Sequence, residues 1–320
     1  MTVETLVSRE EYRKLCDDAP EIPLFSQAWW LDATAGKNWS AVIASKKSGI
    51  VGALPFVLKR KWGFTQLAQP KLTQTLGPWL RKTDKSYPKQ LAHEKEVLKA
   101  LAEGLPQAVC YRQNWHSSVT NWLPFYWLGY TQTTRFSYRL DLAGGEAAIW
   151  SGLQENIRRE IRKAKNRFEL QVAPGSLSEV TRLSEETFRR QSKRPSYPAR
   201  LVEEIDRAAA ARQACDRLVA FDPEGKSHAG AYIVRDLDTA YYLIGGGDPE
   251  LRQSGAMSLV LWEAILRQPA HVRYFDFEGS MIEPIERYFR AFGALQVPYY
   301  RISKVNSRIL ALALCLRGMD

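Results

Sequence analysis

The sequence predicts a mixed α+β protein made of two similar halves, and three observations support this fold class. In the second half, strands and helices follow in the order β, αα, βββ, α, β, α, β, which is typical of a mixed sheet flanked by helices. The chain has 320 residues, about twice the usual size of one domain. The pattern AVIASKKSGIVGALPFV, which starts at Ala41, is echoed by LVAFDPEGKSHAGAYIV from Leu218. Such an echo favours two copies of one sheet unit.

Composition and charge narrow the class of partner. Hydrophobic residues make up 45% of the chain and aromatic residues 11%, which is enough for packed cores and excludes a largely disordered protein. The formal net charge is +10 and the pI is about 9.4. This balance favours an anionic partner, namely a nucleic acid, a nucleotide, a phosphorylated cofactor or a membrane surface in peripheral contact.

The termini and cysteines indicate a cytoplasmic protein without a metal site. The start, MTVETLVSREEYRKLCDD, lacks the basic and then apolar pattern of a signal peptide. No apolar run approaches the about 20 residues that a transmembrane helix needs, so we expect no transmembrane segment. Cys16, Cys110, Cys215 and Cys315 have no metal-ligand spacing. We interpret them as buried thiols in a reducing compartment.

The first half begins with helices and a hairpin. We predict helical segments within residues 10–35, a hairpin with strands at residues 40–44 and 50–58, and a helix over residues 94–104. An aromatic stretch follows, in which Trp115, Trp122, Tyr126 and Trp127 are expected either to fill a core or to line a cleft.

A basic amphipathic helix leads into the second half. Between Ala147 and Asn166, apolar residues recur at spacings of three and four, which predicts one continuous helix. Its other faces carry arginines and lysines, among them Arg158 and Arg162. Such a face is usually solvated, but it could also contact the phosphates of a ligand.

The remaining elements build the second sheet. The predicted helices span residues 177–190, 198–211, 255–267 and 282–292, and the predicted strands span residues 169–173, 218–221, 228–234, 239–244, 272–277 and 298–302. Between the strand at 239–244 and the helix at 255–267 lie three glycines and then Arg252, Gly255 and Ala256. A strand that leads through glycines to a helix N-terminus presents free backbone N–H groups, which predicts an anion site.

The phrases YYLIGGGDPELRQSGAMSLVLWEAI, FDFEGS and YFRAFGA resemble GNAT acyltransferases of the bacterial Fem type, which are methicillin-resistance-type aminoacyltransferases. FSQAWW, ALPFVLKRK, LTQTLGPW and RREIRKAKN extend the likeness over most of the chain. The resemblance implies tandem GNAT-like (acyl-CoA N-acyltransferase) domains, each a mixed sheet flanked by helices. It places an N-terminal domain at residues 1–145 and a C-terminal domain at 146–305, with residues 306–320 returning to the first.

The resemblance also implies a donor site. GNAT enzymes hold the cofactor pyrophosphate with Arg/Gln-x-x-Gly-x-Gly/Ala, and Arg252, Gln253, Ser254, Gly255 and Ala256 follow this pattern. Met257 departs from it, because it replaces the last small residue. The implied acyl donor is therefore either acyl-CoA or aminoacyl-tRNA. The implied acceptor is an amine, in Fem enzymes that of a cell-envelope precursor.

Transfer to an amine needs a proton acceptor and stabilisation of the leaving group. Asp276 and Glu278 end a predicted strand and could accept the amine proton, although they could equally cap the next helix. Tyr288 lies near the position where GNAT enzymes carry a tyrosine that protonates the leaving thiolate; the alternative is a packed aromatic residue. The candidate substrate-binding residues are Tyr242, Arg158, Arg162 and Trp122.

Three functions compete on these grounds. The first is a Fem-like transferase that moves an acyl or aminoacyl group to an amine. The second is an acetyl-CoA-dependent N-acetyltransferase that acts on a small amine. The third belongs to another class, a non-catalytic module that binds RNA or an anionic surface through the basic helix.

Overall fold

The computed structural model describes residues 3–61, 63–279 and 281–306, and it forms two compact units. The first comprises Met1–Arg135 and Pro298–Asp320, and the second comprises Phe136–Val297. The sequence placed the division after residues 145 and 305 instead. Of the segment expected to return to the first domain, Asn306 belongs to the first unit, where its N–H donates to Val109 O at 2.9 Å. Residues 307–320 lie outside the described part of the chain.

Strands and helices are numbered in chain order. The strands are β1 (Glu4–Val7), β2 (Trp39–Lys46), β3 (Gly49–Lys61), β4 (Phe64–Ala68), β5 (Trp79–Leu80), β6 (Cys110–Asn114), β7 (Thr131–Asp141), β8 (Gln171–Pro174), β9 (Cys215–Phe221), β10 (Ser227–Arg235), β11 (Thr239–Gly247), β12 (Tyr274–Asp276) and β13 (Leu295–Val305). The helices are α1 (Arg9–Asp18), α2 (Ala28–Ala35), α3 (Tyr87–Glu103), α4 (Leu123–Trp127), α5 (Gly145–Gly152), α6 (Glu155–Asn166), α7 (Leu177–Arg190), α8 (Ala199–Ala210), α9 (Ala256–Leu266) and α10 (Glu283–Arg290). Short 3₁₀ turns lie at Leu24–Ser26 and Arg252–Ser254.

In the first unit the strand order is β1-β2-β3-β4-β6-β13, and β5 pairs with β3. These pairs are antiparallel except β4 with β6, which run parallel. One apolar cluster lies between β2, β3 and the helices α1 and α2, and it includes Tyr12 and Trp39. A second cluster lies under α3 and α4 and includes Tyr111 and Trp115. The sheet is therefore packed by helices, as an α+β unit requires.

In the second unit the strand order is β8-β9-β10-β11-β12-β7. The pairs are again antiparallel except one, β11 with β12. Helix α9 is apolar on nearly every side, with Leu261 and Trp262 fully buried in the core cluster that it shares with α6. A helix without a polar face is stable only when it is buried all round. Helix α7 begins with a capping box formed by Ser176 and Glu179.

The two units share one strand order and one position for the parallel pair. In each unit the last strand of the order is distant in sequence from the strand it pairs with. In the first unit this strand is β13, which pairs with β6, and in the second it is β7, which pairs with β12. The predicted fold class, a mixed α+β fold of tandem similar units, is confirmed. No helix in the described ranges has the length and apolarity that crossing a membrane requires.

Two expectations about local structure were wrong. The helix predicted over 147–166 is interrupted, because Leu153 is extended and Gln154 N–H bonds to Ala291 O at 2.9 Å instead of continuing the helix. In the aromatic stretch, Trp115 fills the core, but Tyr126 and Trp127 are 58% and 61% exposed. Those two side chains lie on the outer face of the short helix α4, so they belong to neither a core nor a buried cleft.

Candidate functional site

A cleft of about 230 Å³ lies in the second unit at the end of β11. Its walls come from the glycines of β11, from Arg190 at the end of α7, and from the turn that carries Arg252. A Cβ atom on Gly246 would lie 2.4 Å from the carbonyl oxygen of Leu183 in α7. Glycine is required here because strand and helix backbones touch.

The strand beside the cleft, β11, pairs with β12 over only part of its length, and the N–H and C=O of Gly247 at its end bond to Thr187 Oγ1. β11 and β12 pair only at residues 239–241 with 274–276, although β11 continues to Gly247. On its other edge β11 pairs with β10 throughout, with a bulge where Tyr232 pairs with Ile244 and Ile233 with Tyr242. From Tyr242 onward, no strand among the described residues pairs with the β12-facing edge of β11. Backbone N–H and C=O groups along such an edge can pair with an extended ligand.

The predicted donor loop closes one end of this cleft. Arg252–Ser254 form a 3₁₀ turn, Gly255 has φ +80°, and α9 begins at Ala256. A Cβ atom on Gly255 would lie 2.3 Å from Glu160 O in α6, so a side chain would force α6 and the loop apart. Arg252, Ser254 and Ala256 line the cleft, whereas Gln253 is exposed beside it. The loop thus places the N-terminus of α9 at the cleft, where the Ala256 N–H donates to Ser254 Oγ at 3.3 Å.

The mouth of the cleft is basic. Arg190 and Arg252 both line it and are both exposed. Neither forms an ion pair with a carboxylate in the described ranges of the chain. His228 also lines the cleft; it is buried, and its Nε2 lies 3.1 Å from Asp222 Oδ2. Two arginines and a helix N-terminus together favour an anion such as a phosphate.

Tyrosines form the inner wall. Tyr242 lines the cleft, and its Oη lies 3.8 Å from Met257 Sδ. Burial raises the pKa of Tyr242, and the neighbouring Tyr288 and Tyr197 raise it further. Tyr288 Oη lies 3.0 Å from Ser258 Oγ, and burial raises the pKa of Tyr288 as well. Both phenols are therefore neutral and keep their protons at physiological pH.

The two carboxylates after β12 differ in their surroundings. Asp276 is 1% exposed; Ser137 Oγ and the Glu278 N–H donate to its Oδ1, and its Oδ2 lies 3.5 Å from Arg139 Nε. Glu278 has φ +58°, which is uncommon for a residue with a side chain. Its Oε1 is buried without a hydrogen-bond partner among the described residues. Burial raises the pKa of Glu278 well above its usual range, and the charge of Asp276 adds to this.

Asp276, Glu278 and Tyr288 do not line the cleft itself. Burial raises the pKa of Tyr197, and the charges of Glu185 and Glu278 contribute. Tyr197 and Tyr288 both influence Tyr242, which reaches the cleft. The sequence did not single out Tyr197 or Arg190. Their setting in RRQSKRPSYP, a polar segment between two helices, was the available signal.

The other predicted substrate residues lie elsewhere. Arg158 and Arg162, on α6, are within 3.0 Å and 3.2 Å of Glu155 carboxylate oxygens, and neither lines the cleft. Trp122 belongs to the first unit, where its ring lies 5.5 Å from that of Tyr126. Lys163 and Lys165 also pair with glutamates. The basic face of α6 is therefore largely neutralised by its own neighbours.

Metal ligands are not grouped in the described part of the chain. No three His, Cys, Asp or Glu side chains there are close enough together to hold a metal ion. Cys16 is buried, Cys110 and Cys215 are half-buried, and all three are free thiols. Cys315 lies outside the described residues.

The edge of β11 beyond its pairing with β12, the glycine-led turn and the N-terminus of α9 meet at one cleft, an arrangement that favours an anionic ligand. Residues 151–290 match the family model described as "Acetyltransferase (GNAT) domain". This match covers less than half of the chain and indicates a GNAT-like domain in the second unit, which supports an acyltransferase. Comparison with functionally curated proteins gives no significant match.

Solved structures share the fold over nearly the whole chain. A FemX structure superposes with a TM-score of 0.66 at 11% identity and covers 97% of this chain and 99% of its own. The C-terminal domain of a putative lysylphosphatidylglycerol synthetase from Agrobacterium fabrum gives 0.56 at 14% identity and 96% coverage of both chains. A tandem GNAT protein from the clavulanic acid pathway gives 0.53 at 10% identity, with 95% and 99% coverage.

Proposed function

We propose that the protein is an N-acyltransferase that moves an acyl group from a phosphate-bearing donor in the cleft to an amine beside Glu278. The observation that carries this proposal is the buried Oε1 of Glu278, which has no hydrogen-bond partner among the described residues. An unpartnered buried carboxylate is unfavourable unless a ligand supplies the partner. The N–H of a neutral amine acceptor can supply this partner by donating to Oε1.

Positively charged side chains and backbone groups support our assignment of the cleft as the donor-binding part of the site. The donor supplies the acyl carbonyl and the leaving group. Arg252 and Arg190 would hold its phosphate groups together with the N–H groups at the start of α9. The unpaired edge of β11 would bind an amide-containing arm of the donor as an added strand.

In this proposal, activation of the amine acceptor depends on Glu278. With its pKa raised by burial, Glu278 is a stronger base than an exposed glutamate and can take the proton from the attacking amine. Asp276 acts differently, since Ser137, Arg139 and the Glu278 N–H occupy its carboxylate. We assign it the role of holding the turn that carries Glu278.

The leaving group would be protonated by a phenol. Tyr288 and Tyr242 keep their protons because burial raises the pKa of both. Tyr288 Oη lies 3.0 Å from Ser258 Oγ, which holds the phenol oxygen in place. We assign the donation of a proton to Tyr288 and the positioning of the acyl group to Tyr242, which lines the cleft.

Acyl-CoA is the first donor candidate, since the GNAT domain match supports it. Aminoacyl-tRNA, with an amine of a cell-envelope precursor as the acceptor, is the second. One observation favours it: Met257 stands where the GNAT motif has a small residue, and its side chain lies against Tyr242 in the cleft. The FemX and lysylphosphatidylglycerol synthetase neighbours share only the fold at 11% and 14% identity.

A binding experiment tests the donor site. We expect Arg252→Ala to weaken donor binding about tenfold, the loss of one charge-assisted contact, with an unchanged melting temperature. Acetyl-CoA is titrated calorimetrically and charged tRNA by filter binding, against wild type and Arg252→Ala. Arg200→Ala is the control, because Arg200 lies on exposed α8 in the same unit.

Each donor then has its own outcome. Binding of acetyl-CoA that depends on Arg252 supports the first candidate, and binding of charged tRNA alone supports the second. If Arg252→Ala binds every donor as well as wild type does, the assignment of this loop is wrong.

A further inference from the structure

Three arginines lie on one face of adjacent strands in the first unit: Arg112 on β6, Arg301 on β13 and Arg135 on β7. Arg301 is opposite Asn114 in the β6–β13 ladder, and its Nε donates to Asn114 Oδ1 at 3.0 Å. Arg112 is two residues from Asn114 along β6, so its side chain points to the same face. Arg112 and Arg301 are therefore diagonal neighbours.

The position of the third arginine, Arg135, follows from the same alternation of side chains between the two faces of a strand. Thr131 Oγ1 lies 3.1 Å from Ser303 Oγ, and Ser303 is opposite Arg112. Thr131 therefore shares the face of Arg112, and so does Arg135, four residues along β7. We call the surface formed by Arg112, Arg135 and Arg301 the arginine face; all three side chains are half-buried.

The apolar core lies on the opposite side of these strands. Tyr111 and Ile302, the sequence neighbours of Arg112 and Arg301, are buried in the cluster under α3 and α4. The arginine side chains therefore do not lie in this apolar core. Their guanidinium groups line a separate surface.

The charges on the arginine face repel one another. Burial lowers the pKa of Arg301, and the charges of Arg135 and Arg112 lower it further. Within the described ranges, neither Arg135 nor Arg301 forms an ion pair with a carboxylate. Asn114, whose Oδ1 accepts from Arg301, also donates its backbone N–H to Gln69 Oε1 at 2.6 Å. Lys59 Nζ lies 3.4 Å from the backbone carbonyl oxygen of Gln69. Gathering like charges is unfavourable unless an anion offsets them.

We propose that the arginine face is a second anion site, which binds a phosphate or diphosphate group independently of the donor cleft. Adjacent strands are about 4.8 Å apart, so three strands span about 10 Å, which suits a compact diphosphate. Planar guanidinium groups bind phosphate oxygens in pairs. The site lies in the first unit, whereas the donor cleft lies in the second, and neither assignment depends on the other.

Inorganic pyrophosphate is the probe, and calorimetric titration is the measurement. Arg252→Ala serves as the background, because it removes the main cation of the donor loop. In this background we expect pyrophosphate to bind at one site. Adding Arg135→Gln and Arg301→Gln should lower the affinity at least about tenfold. Adding Lys89→Gln, an exposed charge on α3, should leave the affinity unchanged.

Two further variants keep the test independent of folding. Arg301→Lys retains the charge but not the planar fork, so an intermediate affinity is expected. Arg135→Gln alone should also weaken binding, and melting curves establish that each variant is folded. The same proteins are titrated with a 20-nucleotide RNA at two salt concentrations.

Three results would overturn the proposal. The first is the absence of pyrophosphate binding in the Arg252→Ala background. The second is an affinity that the Arg135 and Arg301 substitutions leave unchanged. The third is RNA that binds more tightly than pyrophosphate, with a steep salt dependence that these substitutions reduce, which would assign the face to a nucleic acid.

Discussion

Each unit has one parallel strand pair, and the two pairs differ in what contacts the strands beyond the paired residues. In the second unit, β11 and β12 separate after Tyr241 and Asp276, and the cleft lies at the end of β11. In the first unit, β4 and β6 occupy the same place in the strand order and pair only at Gln66 with Cys110 and Leu67 with Tyr111. Beyond these two pairs, another segment of the first unit forms hydrogen bonds with the end of β6.

Residues 69–77 of the first unit make these contacts. Gln69 Oε1 accepts the Asn114 N–H at 2.6 Å, and its Nε2 donates to Gln74 O at 2.9 Å. Leu76 N–H donates to Asn114 O, and His116 N–H donates back to Leu76 O. This segment thus satisfies backbone groups of β6 beyond its pairing with β4, whereas β12 pairs with β11 only as far as Tyr241.

The two units show that strand order alone does not produce the cleft of the second unit. Both units have the same order, but only the second leads from the parallel pair through glycines to the N-terminus of an apolar helix. In the first unit, the corresponding backbone groups are occupied by the chain. The predictions below test the two ends of this comparison.

The largest expected effect is on catalysis in the second unit. Glu278→Gln should lower kcat about 100-fold or more, because the amide does not accept the amine proton, while donor affinity stays unchanged. Steady-state kinetics with the donor identified by the binding experiment provides the measurement. Glu224→Gln, in the exposed turn before β10, is the control. Equal loss in both variants would contradict the assignment.

The pH dependence of Glu278 gives a second readout. Since burial raises its pKa, wild-type kcat should rise with pH through that raised value, and Glu278→Gln should lose this limb. For folding, the carboxyl group's contribution to stability is present below its unfolded pKa and is lost as pH rises through its folded pKa. Glu278→Gln should therefore become more stable than wild type as pH increases through this window.

The next effect concerns the close contact between β11 and α7. Gly246→Ala places a Cβ 2.4 Å from Leu183 O, so the strand and helix must move apart. We expect a loss of about 1–3 kcal/mol in the free energy of unfolding and weakened donor binding. Gly152→Ala is the matched control, because nothing lies within 4 Å of its added Cβ. Similar denaturation midpoints for Gly246→Ala and wild type would contradict the close backbone contact between β11 and α7.

The smallest effect lies in the first unit. Gln69→Ala removes the side chain that joins residues 69–77 to β6 and should lower the free energy of unfolding by about 1–2 kcal/mol, since it leaves the Asn114 N–H without its acceptor. Donor affinity should not change. Urea denaturation measures the first quantity and calorimetry the second, with exposed Gln107→Ala as the control. A loss of donor affinity in Gln69→Ala would show that the first unit contributes to the donor site.

The sequence by itself determined the fold class and most of the secondary structure of the second half, whereas the donor-binding role of residues 252–256 stays a prediction. Periodic apolar residues marked α7 and α9, and turn residues marked the hairpin of β9 and β10, because these signals are local. The glycines before Arg252 predicted the backbone of the turn for the same reason. The division within β7 and β13 was missed, since strand pairing between distant segments leaves no local pattern.

The tertiary structure alone decided which side chains meet. Asp276 and Glu278 look equivalent in the sequence, but only the folded chain surrounds Asp276 with Ser137, Arg139 and the Glu278 N–H. It buries Glu278 Oε1 with no hydrogen-bond partner in the described part of the chain. Arg190 and Tyr197 join the site from a segment about 60 residues before the donor loop. The arginine face likewise unites three strands that are far apart in the chain. Burial and proximity depend on long-range packing, and that packing determines charge, pKa and binding.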